Sequence, residues 1–208
     1  MRFLDISTDT QTIYRLAESE RTVFFMLNRA GEITIELTGP GATAHIFALY
    51  TGDETTKQTL SLIQRHLAPD TVSSALVKAA LGGTASFSYD GAIIIAKNAH
   101  RSDASQESRA LLLSAEARAH ARPSLEILAH DVVCHHAATT APLSADALYF
   151  AESRGLSKVA AYKLLIQGFF QEALERMEAL NIDTLPIRKQ LPSSGVSYSS
   201  ELENIYTL

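Results

Sequence analysis

The only cysteine of the 208-residue chain, Cys134, lies in the run Ala129-His-Asp-Val-Val-Cys-His-His136, beside three of the chain's seven histidines. Thiolate and imidazole suit zinc, copper and iron–sulfur clusters. Side chains alternate faces along a strand. A strand here would put His130, Cys134 and His136 on one face, with Asp131 and His135 on the other. A closed tetrahedral site takes four ligands, and Cys134-x-His136 supplies two. The spacing alone therefore points to a shared or transient site, completed by another chain or by a bound cluster. A second reading needs no metal. An unpaired cysteine packs as a small hydrophobe, and histidines satisfy core hydrogen bonds. His66, His100 and His120 stand alone in the sequence and are weaker candidates, and Glu126 is expected to pair or to face solvent.

Other chemistry lacks a motif. The sequence has no GxGxxG, no GxxxxGK[ST], no HExxH and no GxSxG. Gly39-Pro40-Gly41 and Gly82-Gly83 read as turns and not as phosphate loops. The chain is expected to bind no nucleotide of its own and not to be an enzyme.

The elements that must carry Cys134 and His136 are short strands. Thr22–Leu27 (TVFFML) reads as a buried strand, and Ile33–Leu37 (ITIEL) alternates as a half-buried strand does. The turn-like Asn28–Gly31 between them predicts a hairpin. Further strands are predicted near Ala44–Leu49, Gln58–His66, Ser73–Leu81, Ala85–Ser88, Ala92–Ile95, Arg109–Leu113, Leu125–Ala129 and Val132–His136. Turns are predicted at Ala68-Pro69-Asp70, Asp90-Gly91 and Arg122-Pro123, among others. Gln58–His66, Ser74–Leu81 and Ser105–Arg118 are also rich in helix formers, and pattern alone leaves both readings open. An all-β middle of this kind fits a sandwich, a barrel or a parallel β-helix.

The style changes near residue 141. Ser144 can cap a helix over Ala145–Arg154 with Leu148, Tyr149 and Ala151 or Ser153 on its buried side, and Gly155 fits its left-handed end. Ser157 can cap a longer helix over Lys158–Leu180. Its stripe runs through Val159, Ala160, Tyr162, Leu165, Ile166, Phe169, Phe170, Ala173, Leu174 and Met177, and Asn181 stops it. The expected organisation is an N-terminal segment (1–20), a β core (21–140), a helical domain (141–190) and a Ser-rich tail (191–208) in which Ile205, Tyr206 and Leu208 could dock.

Composition bounds what remains. With 46% hydrophobic and 20% charged residues the chain has ordinary globular chemistry, and its net charge of −5 argues against a broad nucleic-acid-binding face. A single cysteine makes no internal disulfide, which fits a reducing, cytoplasmic location. No secretory leader and no membrane span is expected.

In order along the chain, several segments resemble the SufB/SufD scaffold family of the SUF iron–sulfur cluster assembly system. Pro123-Ser-Leu-Glu-Ile-Leu-Ala-His-Asp-Val-Val-Cys-His-His-Ala-Ala-Thr139 is similar to K-P-x-L-E-I-x-A-D-D-V-K-C-x-H-G-A-T. Leu148-Tyr-Phe-Ala-Glu-Ser-Arg-Gly155 resembles L-F-Y-L-x-S-R-G, and Gly168-Phe-Phe-Gln-Glu172 resembles G-F-x-x-E. Upstream, Ala68-Pro-Asp-Thr-Val-Ser73, Ser102-Asp-Ala-Ser-Gln106 and Leu111-Leu-Leu-Ser114 resemble A-P-x-T-x-S, T-D-A-x-Q and N-L-L-L-S. The C-x-H-x-A-T pattern is SufD-like. The chain departs from it at His130, Val133, Ala137 and Arg109-Ala110, and is shorter than the family's usual length.

The resemblance implies a right-handed parallel β-helix followed by a small C-terminal α-helical domain. It implies a non-catalytic scaffold that acts with a SufC-type ATPase, docked on residues 145–180. It implies a SufB-type scaffold or a second identical chain paired through the β-helix. Cys134 and His136 then become the candidate ligands of a transient iron–sulfur cluster at a dimer interface. The alternatives are an ATPase-binding subunit that ligates no metal and a small mononuclear metal protein using His130, Cys134 and His136.

Overall fold

The computed structural model describes residues 1–191, so the tail from Pro192, with Ile205, Tyr206 and Leu208, lies outside the described residues. Strands β1 (Arg2–Asp5), β3 (Arg21–Leu27), β5 (Thr43–Gly52), β7 (Val72–Leu81), β9 (Ser102–Leu112) and β11 (Val132–Pro142) form one sheet in that order. Strands β2 (Ile13–Leu16), β4 (Gly31–Leu37), β6 (Lys57–His66), β8 (Ser86–Ile95) and β10 (Arg118–Ile127) form a second. Each strand pairs in parallel with the strand two further along the chain. Successive strands thus alternate between two facing sheets, and the chain winds as a parallel β-solenoid of about four turns. Three helices follow: α1 (Ala145–Ser153), α2 (Lys158–Ala179) and α3 (Leu185–Gln190).

The two sheets write two sequence patterns. The even-numbered sheet is buried on its inner face only, so β6 and β8 alternate buried and half-buried positions. The middle strands of the odd-numbered sheet, β3, β5 and β7, are covered on both faces, inside by the solenoid core and outside by α2. They are therefore buried at nearly every position, as sheets buried on both faces are. Phe24, Met26, Ile46, Ala48 and Tyr50 point into the solenoid against Ile33, Ile35, Leu60, Leu62, Phe87 and Tyr89. Val23, Phe25, Phe47, Leu49, Leu76 and Ala80 point the other way, onto Ile166, Phe170, Ala173, Leu174 and Met177 of α2. Thr22–Leu27 and Ile33–Leu37 differ in pattern for this reason.

The same winding overturns the hairpin expected there. Asn28 and Gly31 do take positive φ, at 53° and 104°, but the chain turns a corner into the opposite sheet, and β3 pairs with β1 and β5 while β4 pairs with β2 and β6. Two other predicted turns are strand interiors. Asp90-Gly91 lies within β8, where the Gln106 side chain and the Tyr89 hydroxyl fill the space a Cβ would need. Arg122-Pro123 lies within β10, an edge strand, where a missing backbone donor is tolerated. The three ambiguous runs contribute to strands β6, β7, β9 and β10. Residues 1–20, lightly patterned in sequence, supply β1 and β2.

The helical expectations hold at their ends. The hydroxyls of Ser144 and Ser157 accept from the amides of Ala147 and Ala160, and Gly155 and Asn181 take positive φ. Tyr149 departs from its expected buried side and is 74% exposed, whereas Leu148 and Ala151 pack on Ala161 and Tyr162. Val159 of the predicted stripe is also exposed. The short α3, with Pro186 in its first turn, carries Ile187 into the core under α2 and had no counterpart in the sequence reading.

Candidate functional site at the last rung

Cys134 and His136 lie on β11, the last strand of the odd sheet and an edge. β11 pairs with β9 on one side, with Cys134 beside Ala104 and His136 beside Gln106. Among the described residues, no further coil covers it. Inward positions that are buried in earlier rungs are therefore open here: Cys134 is half-buried and His136 exposed. Leu125, Ile127 and Leu128 at the end of β10 and Val133 on β11 are exposed apolar neighbours.

The alternation that groups Cys134 with His136 does not reach His130, which sits in the bend before β11. Cys134 packs at the rim of a small core of Ile93, Ile95, Ala99, Ala104 and Ala129. Burial, and then the Asp103 carboxylate, push its thiol pKa up. Its thiolate is thus disfavoured until a metal supplies the opposing charge. Among the described residues, no group of three or more His, Cys, Asp or Glu side chains is placed to hold a metal ion. Cys134 and His136 face the same way on β11, and a metal held by this pair would need further ligands from outside the described residues.

The weaker candidates separate cleanly. His66 is buried inside the solenoid, where its two ring nitrogens each lie 2.7 Å from a hydroxyl, of Thr71 and of Ser73. Burial lowers its pKa to about 4, so it is a neutral core histidine. His100, His120 and Glu126 are exposed, the first at a corner and the others on β10.

Two features escaped the sequence reading. Inside the last coils runs a polar network: the Gln64 amide donates to the Ser73 hydroxyl at 2.7 Å, and the Gln106 amide to the Gln64 side-chain oxygen at 2.9 Å. The second lies on the outer face of the odd sheet. His45, Ser74, Ser105 and His135 stand side by side on β5, β7, β9 and β11. They line a cavity of about 570 Å³ that Arg176 and Ala179 of α2 and the capping Leu180 close on one side. His45 Nδ1 lies 2.7 Å from the Ser74 hydroxyl. The four residues are 29, 31 and 30 positions apart, a repeat that only the coil length makes visible.

This geometry is joined by likeness to known proteins. Residues 21–169 match the family model described as SUF system FeS cluster assembly, SufBD core domain. The chain is 27% identical over its whole length to the iron–sulfur cluster assembly SufBD family protein Mb1496 of Mycobacterium bovis, of which it covers 24%. It is 30% identical to the SufBD family protein ML0594 of Mycobacterium leprae, over 69% of this chain and 38% of that one. To the SufBD family protein slr0076 of Synechocystis it is 37% identical, over 43% of this chain and 20% of that one. The chain therefore spans about a fifth to two fifths of the length of these relatives. With the core-domain match over most of its length and a β-solenoid that ends in helices, the chain belongs to the SufBD family.

Proposed function

We propose that the chain is a non-catalytic scaffold component of iron–sulfur cluster assembly, SufD-like in its motifs, and that Cys134 and His136 are half of a cluster site shared across an interface. The observation that carries this is the position of the pair on an edge strand that no further described strand covers, with no third ligand among the described residues. An open strand edge invites pairing with another chain, and the exposed Leu125, Ile127, Leu128 and Val133 give such an interface apolar area. The partner is a second copy or a SufB-type chain. The exposed Tyr149, Phe150, Val159 and Leu164 support reading the region 145–180 as the docking surface for a SufC-type ATPase. The assembly works in the cytoplasm. Among the described residues no helix is long and apolar enough to cross a membrane.

Two experiments test this reading. Anaerobic reconstitution with iron and sulfide is expected to give cluster absorbance in the paired chain, and Cys134→Ser with His136→Ala is expected to abolish it. Co-purification with a SufC-type ATPase is expected to survive Cys134→Ser and to be lost when residues 145–180 are deleted. Loss of absorbance with no loss of ATPase capture on that deletion would reject the docking surface alone. A chain that captures the ATPase and never gains a cluster is the interaction-only subunit.

A further inference from the structure

Beneath α2 lies a charge cluster that the cluster site does not use. Lys78 of β7 is 2% exposed, among the largest fully buried side chains. Its Nζ donates to the Phe169 carbonyl at 2.5 Å and to Glu172 Oε2 at 2.7 Å, and lies 4.7 Å from the centre of the Phe169 ring. Glu172 also accepts from Arg109 of β9 at 2.8 Å and from Arg176 of α2 at 2.6 Å. Arg176 and Arg109 both reach Glu107 of β9, the former at 3.0 Å. Burial pushes the Lys78 pKa down against the pull of Glu172, and Arg109 and Arg176 add to the fall. Burial alone would raise Glu172, yet its bond from Lys78 and the three cations hold its carboxyl below the ordinary range.

The remaining packing of α2 on the sheet is mostly apolar and undirected. The sheet presents Phe47, Leu49, Leu76 and Ala80, and the helix presents Ile166, Phe170, Ala173, Leu174 and Met177. Apolar contact is non-directional, so a helix displaced by one turn, about 5.4 Å, would still bury such side chains. It would not satisfy Lys78. A buried charge stripped of its partner is the costly case, whereas an intact buried pair adds little net stability over an apolar isostere.

We infer that the Lys78–Glu172 junction is the key that fixes where α2 sits on the odd sheet, so that Lys78, Glu172 and Arg109 are positioning residues for the surface that the helices present. The Gly168–Glu172 motif thereby acquires a physical role. Phe169 supplies a carbonyl and a ring, and Glu172 a carboxylate, to one lysine. The consequence for ATPase docking rests on the function proposed above, and the placement of α2 does not.

The test measures placement directly. Spin labels at Thr59→Cys on β6 and Gln167→Cys on α2, in a Cys134→Ser chain, are expected to give one narrow distance. Lys78→Met is expected to broaden it or add a second distance displaced by about 5 Å, one helical turn, without lowering Tm, and Lys78→Arg to restore a single peak. A distribution unchanged by Lys78→Met overturns the proposal. Should that variant fail to fold, the isosteric Glu172→Gln is measured with the same two outcomes. In parallel, Lys78→Met is expected to weaken binding of a SufC-type ATPase about tenfold, a 1.4 kcal/mol change. A wild-type chain that binds no ATPase rejects the docking reading and leaves the distance measurement to decide the junction.

Discussion

The inner rungs and the last rung of the solenoid are built alike and live in different solvents. β7 has eight of its ten positions buried, whereas no residue of β11 is buried. The register continues unbroken from one to the other. What changes is that no described strand stacks beyond β11 and that the apolar contact with α2 does not extend to it. In a stacked fold each unit is covered by its neighbour, and a terminal unit needs a cap. Among the described residues, no strand covers the rung that carries Cys134 and His136. The same side-chain direction that makes Leu62 core leaves Cys134 and His136 open, so the candidate ligands sit where the described strands end.

The largest effect that would sharpen this contrast is truncation inside a covered rung. Leu62 on β6 is fully buried, and Leu62→Ala is expected to cost about 2–5 kcal/mol in urea unfolding. Leu125→Ala or Val133→Ala on the last rungs should stay within about 0.5 kcal/mol in the isolated chain and instead weaken its association. Equal destabilisation by both would break the comparison.

The next effect is a pH dependence confined to the interior. His66 is held neutral, with its pKa lowered by burial to about 4 from 6.5. Between those values the unfolded chain takes up a proton that the folded chain does not. Stability from this group is complete above pH 6.5 and is lost as pH falls toward 4, by on the order of 3 kcal/mol in total. Unfolding measured across that window is expected to show a shallower slope in His66→Gln than in wild type, and an identical slope would contradict the assignment.

A smaller effect concerns the polar network behind the last rung. Gln106 and Gln64 bond to one another within the solenoid. Gln106→Ala strips the Gln64 side-chain oxygen of its donor and should cost about 1–3 kcal/mol, read by chemical denaturation. A cost near zero would mean that the network contributes little to the rung on which β11 rests.

Much of this was legible from residues. Strand positions followed from apolar patterning, and the two main helices from Ser144, Gly155, Ser157 and Asn181, whose caps are local chemistry. The shared face of Cys134 and His136 followed from alternation along one strand. What the sequence hid is what depends on stacking. Asn28-Arg-Ala-Gly31 signals a reversal equally for a hairpin and for a solenoid corner, since both need positive φ. Gly91 looks like a turn glycine, yet its missing side chain makes room for Gln106, fifteen residues away. The His45–Ser74–Ser105–His135 row and the Lys78–Glu172 junction join residues on different coils or different layers, and no local pattern marks them.

The central claim is that the last rung holds half of a cluster site. Its most direct test is the stoichiometry of anaerobic reconstitution, with iron and sulfide quantified against chain while the oligomeric state is followed. The expected result is one cluster for two paired scaffold chains, lost together with Cys134 and His136. A full cluster on each monomeric chain, or a cluster that survives the Cys134→Ser, His136→Ala double substitution, would contradict it.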